Sequence, residues 1–217
     1  MTPSNIISYA RRLIQDNQLL RTTEDYIDET LLDYVNQALK QTAVYRPDLF
    51  LQIADIPTTA DVVQQTAPAD SMRLSDLFSV KDGDAIVEVS RETLDRSAPG
   101  WTQVASGTPI NWMRHLKNPN QFFLYPRPEA GVVLVGEYVQ EPPTYTLNQT
   151  INLLPDTFLP AIATAVVSMA FAAQGPNNDM NVANSYMERY TQMMSVSLQT
   201  RPLTDTRETG LDARQVI

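Results

Sequence analysis

The feature that most constrains the fold of this chain is a change in residue composition and apolar spacing at about residue 50, which reverses at about residue 145. Most of the glycines and prolines lie between these two points, where they separate short runs of β-branched and aromatic residues. Such runs, bounded by turn residues, are typical of strands. The flanking segments carry apolar residues three and four positions apart, which predicts amphipathic helices. The sequence therefore predicts an α+β protein with helices at both ends and a β-rich middle.

Four helices are predicted, two on each side of the β-rich middle. The first covers about 4–18, and the second follows an acidic stretch and ends at Arg46, because Pro47 disfavours helical geometry in the residue before it. A run rich in Ala, Val and Met predicts a third helix at about 156–174, and a fourth extends to about 198. The third is apolar on nearly every face, which indicates burial between neighbouring elements or between subunits.

The middle region predicts five strands and at least one hairpin. Asn118 and Pro119 form a turn signal between the third and fourth strands, so these two strands should pair as a hairpin. Five aromatic residues in this region could form a ligand-stacking platform, but aromatics in alternating strands more often fill a sandwich core. The aromatic residues are Trp101, Trp112, Phe122, Phe123 and Tyr125. The predicted strands are 62–66, 85–89, 110–116, 121–125 and 132–139.

The simplest arrangement joins the two helical ends. We expect residues 1–49 and 150–198 to form a helical bundle from which residues 50–149 project as a β-rich insertion, sandwich-like or barrel-like. Residues 199–217 have three basic and three acidic residues and few apolar ones. A segment of that composition cannot build a core of its own, so we expect an extended C-terminal arm.

Composition removes many kinds of chemistry. The chain has no cysteine and one histidine, His115, so thiol nucleophiles and multi-histidine metal centres are excluded. Gly131 and Gly136 have phosphate-loop spacing, but Glu137 and Tyr138 follow where that loop requires Lys and Ser or Thr. We therefore predict no cofactor, no metal and no catalytic residue.

One acidic group leaves an alternative open. Its carboxylates could serve glycoside hydrolysis or a hard metal ion, whereas a solvated helix start favoured by the helix dipole explains them more simply. No calcium-loop spacing with its central glycine accompanies them. The members of the group are Glu24, Asp25, Asp28, Glu29 and Asp33.

The charge balance restricts the partners. Sixteen basic and 25 acidic residues give a formal net charge of −9, which argues against DNA as a bound ligand and against an anionic membrane surface. The first residues lack a basic region followed by an apolar run, so we expect no signal peptide and synthesis in the cytoplasm.

A series of short motifs, taken in order over residues 5–198, resembles the head-to-tail adaptor (connector) proteins of short-tailed, podovirus-like bacteriophages. The order of the motifs is more specific than any one of them. They are Leu31 to Ala38, Arg46-Pro47-Asp48, Pro68 to Asp70 with Arg73-Leu74, Leu94-Asp95 with Pro99 to Trp101, Asn118-Pro119 with Phe122 to Pro126, Glu137-Tyr138 with Pro142-Pro143, and Leu154-Pro155-Asp156.

This resemblance implies a structural virion protein at the head–tail junction, made in the host cytoplasm, with no enzymatic activity. Adaptors of this kind form a homo-oligomeric ring, usually of twelve copies, which joins the portal protein to the tail nozzle and sometimes to fibres. DNA passes through the axial channel during genome ejection as cargo, and no membrane takes part. The alternatives are a tail nozzle or tail-tube subunit and a virion-associated carboxylate-based hydrolase.

Two groups of residues are predicted to contact partners. Isolated apolar anchors and arginines on an extended arm suit a preformed groove on the portal. The turn of the predicted hairpin is expected to face the nozzle or fibres. The portal-binding residues are Arg201, Leu203, Arg207, Leu211, Val216 and Ile217, and the hairpin-tip residues are Lys117, Asn118 and Asn120.

Overall fold

The computed structural model describes residues 1–15, 28–173 and 178–199. These ranges contain α-helices at both ends of the chain and one short helix in the middle, which confirms the predicted α+β class. Short 3-10 helices precede the first strand, follow the middle helix and precede the fourth helix. The α-helices are α1 (Pro3–Gln15), α2 (Asp28–Tyr45), α3 (Arg91–Ser97), α4 (Leu159–Ala172) and α5 (Met180–Gln199), and the 3-10 helices are Pro47–Phe50, Trp101–Gln103 and Asp156–Phe158.

Within the described ranges, seven strands form two sheets. The first sheet has the order β1-β7-β3 and is antiparallel throughout. The second has the order β2-β6-β5-β4, in which only the β4–β5 pair is parallel. Among the described residues neither sheet closes into a barrel. The strands are β1 (Leu51–Pro57), β2 (Gln64–Thr66), β3 (Ser71–Val80), β4 (Val87–Glu88), β5 (Asn111–Arg114), β6 (Gln121–Tyr125) and β7 (Val133–Gln140).

Helix α4 is the centre of the helical bundle. Ten of its 14 residues are buried, and it packs against α1, α2 and α5 of the same chain. Phe171 of α4 stacks on Tyr186 of α5, with ring centroids 6.2 Å apart and planes inclined by 10°. Of the two explanations for an all-apolar helix, burial between neighbouring elements is therefore the correct one. A neighbouring subunit is not needed to cover it.

The two sheets share a second core, which makes the β-region a sandwich. Trp112 of β5 and Phe122 of β6 are fully buried in it, against Leu77 of β3 and Leu134 of β7. A smaller third cluster contains Trp101 and packs Phe123 and Tyr125 on the other face of the second sheet. Three of the five aromatic residues, Trp101, Trp112 and Phe122, are thus buried core residues, and Phe123 and Tyr125 are partly buried against the third cluster.

The hairpin prediction is confirmed, whereas two strands are missing from the sequence-based assignment. β5 and β6 pair antiparallel, with Asn111 opposite Tyr125 and Arg114 opposite Phe122. The missing strands are β1 and β3, the two partners of β7. β3 carries three register shifts, which break the alternation of apolar and polar residues that marks a strand.

Boundaries differ at several elements. The predicted strand at 62–66 begins two residues later, at Gln64, and the predicted strand at 85–89 is reduced to Val87 and Glu88. The predicted helix at 156–174 begins with a 3-10 turn, and its α-helical part starts at Leu159. Residues 16–18 of the first predicted helix, residue 174 of the third and nearly all of the predicted arm lie outside the described residues.

Within the described ranges, no helix has the length and apolarity that a membrane crossing requires.

Candidate functional site

The first candidate site is the turn between β5 and β6, at residues 115–120, which we call the hairpin tip. His115 orders it from within, because its Nδ1 accepts the backbone N–H groups of Lys117 at 3.2 Å and Asn118 at 3.0 Å. A ring nitrogen that accepts hydrogen bonds carries no proton, so this geometry assigns the ring hydrogen to Nε2. The imidazole also stacks on Phe123, with ring centroids 5.5 Å apart. The tip therefore has a defined conformation.

The three predicted tip residues have different surroundings. Lys117 is exposed, whereas Asn118 and Asn120 are half-buried. Asn118 Oδ1 accepts the backbone N–H of Asn120 at 3.0 Å. Asn120 in turn donates from Nδ2 to the carbonyl oxygen of Ser71 at 2.7 Å, and its Oδ1 lies 3.2 Å from the donating Ser71 hydroxyl. Asn118 thus orders the tip internally and Asn120 holds it against β3, whereas the charged group of Lys117 extends into solvent.

A groove of about 770 Å³ lies between the hairpin tip and the start of α3. Its apolar floor is formed by Met113, which is buried, together with the half-buried Val89 and Phe123. Leu116, at the groove's edge, is 97% exposed, more than any other large apolar residue in the described ranges. Leu116 carries no sequence signal of such exposure, because a leucine at the end of a predicted strand is as typical of a core position.

The charges around the groove are partly neutralised. Arg114 bonds Glu88 at 2.7 Å and lies over the ring of Trp112, 4.8 Å from its centroid. It also donates to the carbonyl oxygens of Leu74 at 3.3 Å and Ser75 at 2.5 Å, which ties the two sheets together. Arg91 and Asp95 form an exposed pair at 3.6 Å.

Two further charges line the groove, those of Lys117 and Glu92. Neither forms an ion pair or a side-chain hydrogen bond with any other residue that the structure describes. The groove thus combines an apolar floor with one cation and one anion that are available to a partner.

The second candidate site is the corner where the end of α2 meets the last turns of α5. Arg46 donates from Nε and Nη2 to the two carboxylate oxygens of Asp48, both at 2.8 Å, and from Nη1 to the carbonyl oxygen of Met194 at 2.8 Å. The hydrogen bonds to Asp48 raise the pKa of Arg46, against an opposing contribution from burial. Thr42 and Tyr190 join the same helices through their hydroxyls, 2.9 Å apart, and burial raises the pKa of Tyr190.

This corner holds the last turns of α5 against the end of α2. Met194 lies five residues before Gln199, the last described residue. The arm residues predicted to bind the portal all lie outside the described residues: Arg201, Leu203, Arg207, Leu211, Val216 and Ile217.

The acidic group is described in part, by the three members that lie on α2. Asp28, Glu29 and Asp33 are exposed, and Asp28 pairs with Arg11 at 2.6 Å. The other two members, Glu24 and Asp25, lie outside the described residues. Across the described ranges, no group of three or more His, Asp or Glu side chains is placed to hold a metal ion.

Comparison with known proteins assigns the family. No curated protein matches the chain. The sequence model described as "SU10 adaptor protein" matches residues 1–213, which is almost the whole chain. This agrees with the resemblance to phage adaptors in the ordered motifs between residues 5 and 198, and the chain belongs to the SU10 adaptor protein family.

Proposed function

We propose that this protein is a head-to-tail adaptor of a short-tailed bacteriophage, a structural virion component whose copies form a ring between portal and tail. The observation that carries the proposal is the family match over residues 1–213. The ring contains twelve copies, joins the portal to the tail nozzle or fibres, and leaves an axial channel for DNA. The same match favours an adaptor over a nozzle or tail-tube subunit and over a hydrolase.

The architecture supplies a separate surface for each partner. The helical bundle of residues 1–49 and 150–198 carries the arm, residues 199–217, toward the portal. The β-rich insertion of residues 50–149 presents the hairpin tip, with Lys117, toward the nozzle or fibres. The Arg46 corner supports this assignment, because its hydrogen bond to Met194 holds the end of α5 and so sets where the arm begins.

The negative charge fits DNA that passes without binding. A net charge of −9 repels phosphate groups at short range, within a Debye length of about 8 Å at physiological salt. Helix α4 offers no support for the ring, because its own chain already covers it. The ring interface is therefore expected on surfaces other than the apolar faces of α4.

Truncation of the arm tests the proposal. A chain ending at residue 198 should keep its fold, since the described cores lie before that point, but should lose binding to the portal of the same virus. A full-length variant, Leu116→Asp, is the matched control and should bind the portal normally, because Leu116 lies on the β-rich insertion. Portal binding is measured by co-sedimentation, and electron microscopy of the complex counts the copies in the ring. Undiminished portal binding by the truncated chain would refute the role of the arm.

A further inference from the structure

The hairpin tip presents an apolar side chain next to a positive charge. Leu116 is 97% exposed, and the exposed Lys117 follows it. Both are held in a defined turn by the hydrogen bonds to His115 Nδ1. Burial of a leucine side chain removes apolar surface from water, which stabilises a complex. An ordered leucine left in water therefore favours a partner with an apolar hollow.

The groove beside the tip offers the complementary features. Its floor of Val89, Met113 and Phe123 is apolar, and its volume of about 770 Å³ exceeds the size of any single side chain. Glu92 lies on its wall without an ion-pair partner among the residues that the structure describes. An occupant that brings an apolar side chain and an adjacent cation would satisfy both, and Leu116 followed by Lys117 is such a pair.

We propose that a second copy of this protein docks on the hairpin tip. Leu116 of each copy enters the groove of the other, and Lys117 of each copy pairs with Glu92 of the other. Because Leu116 lies at the edge of its own groove, the same surface serves on both copies, and the contact has two-fold symmetry.

This pairing is distinct from the proposed ring. A two-fold contact closes at two copies, whereas a ring of many copies needs head-to-tail contacts. Pairing covers Lys117, so a paired subunit cannot use the tip to bind a tail-side partner. The tip is thus covered only in paired subunits and becomes available when a pair separates.

Sedimentation of the full-length protein tests the pairing. Two hairpin tips bury less surface than the roughly 1,200 Å² of a standard stable interface, so we expect a weak dimer with a Kd between about 10 µM and 1 mM. The variants Leu116→Asp, Lys117→Glu and Glu92→Lys should each weaken dimerisation at least tenfold. All three positions are exposed, so the fold should be retained, as circular dichroism can verify. Val44→Asp is the matched control, because Val44 is 67% exposed but lies on α2 in the helical bundle.

A mixture of two variants gives the decisive measurement. Lys117→Glu and Glu92→Lys each place like charges in both contacts of a self-pair, but an equimolar mixture forms a pair in which both contacts join opposite charges. The mixture should regain the dimerisation of the native protein. A native protein that stays monomeric to 1 mM, dimerisation unaffected by Leu116→Asp, or a mixture that stays monomeric would each overturn the proposal. Portal binding is measured separately: a native protein that dimerises but does not bind the portal would count against the adaptor function and not against the pairing.

Discussion

Gly136 lies in the middle of β7, the central strand of the three-stranded sheet, opposite Ala54 of β1 and Leu77 of β3. A Cβ atom at this position would lie 2.5 Å from Leu77 Cδ2, 2.9 Å from the carbonyl oxygen of Asp76 and 3.0 Å from Ile56 Cδ1. Leu77 and Ile56 are buried in the sandwich core, and the Asp76 carbonyl is part of the backbone of β3. The substitution Gly136→Ala therefore forces two strands apart or distorts one of them.

The expected loss of stability follows from two opposing contributions. An added methyl group in a well-packed core costs about 1–3 kcal/mol. Alanine also reduces the conformational freedom of the unfolded chain, which offsets about 0.5–1 kcal/mol of that cost. One of the three close atoms belongs to the backbone, and the other two belong to buried side chains. The cost of the added methyl group in Gly136→Ala should therefore lie in the upper part of the range of about 1–3 kcal/mol. The net destabilisation should be about 2 kcal/mol, or a Tm lower by roughly 4–8 °C in a chain of this length.

Urea unfolding followed by tryptophan fluorescence is the appropriate assay, because both tryptophans, Trp101 and Trp112, lie in the β-region. Gly107→Ala is the matched control: its Cβ would have no atom within 4 Å and its φ lies outside the left-handed region, so its stability should change by less than about 0.5 kcal/mol. Gly131→Ala should destabilise the protein by about 1 kcal/mol, between the other two variants, because Gly131 has a φ of 85° although the space around it is open. If Gly136→Ala is no more destabilising than Gly107→Ala, the close packing of β7 between β1 and β3 is wrong.

Two further predictions concern the corner between α2 and α5. Arg46→Met should destabilise the protein by about 3 kcal/mol in urea unfolding, because it removes two charged hydrogen bonds to Asp48 and one to the buried carbonyl oxygen of Met194. Lys40→Met, which removes an exposed ion pair, should cost less than about 0.5 kcal/mol, and equal effects of the two variants would contradict this reasoning. Tyr190→Phe should cost about 1 kcal/mol at pH 7, because it removes the hydrogen bond to Thr42. Burial raises the pKa of Tyr190 above its ordinary 10.0. The unfolded chain therefore loses this proton first, and the free energy of unfolding falls as the pH rises above 10.0. Tyr190→Phe should make that fall less steep in unfolding curves between about pH 8 and 11.

Elements with local signals could be predicted from the sequence. The β5–β6 hairpin was identified because its turn residues and both strands lie within 15 residues of each other, and β6 was assigned with its observed bounds. β1 and β3 were missed because their signals are not local. Both pair with β7, as in the contact of Leu51 with Val139, and β3 places Leu74 and Leu77 three residues apart across a register shift. That spacing resembles a helix more than a strand.

The candidate site also combines features that have local sequence signals with features that depend on tertiary packing. The turn at Lys117 was predicted from Asn118 and Pro119, which are neighbours in the chain. The groove depends on the position of α3 beside β5 and β6, and the exposure of Leu116 depends on the same tertiary packing. For α4, the sequence left burial by neighbouring elements and burial by subunits as alternatives, and only the packing of three helices of the same chain decided between them.

The attachment of the β-region to the bundle connects the two proposed partner surfaces. The chain enters the β-region through the turn after α2, where Arg46 bonds Asp48, and it leaves near Tyr145, whose backbone N–H and carbonyl both bond the buried side chain of Asn36 at 2.9 and 3.1 Å. Both ends of the β-region are therefore held by hydrogen bonds at α2 or at the turn that follows it. Because Arg46 also bonds the carbonyl oxygen of Met194, one helix links the last turns of α5, which precede the proposed arm, to both ends of the β-region.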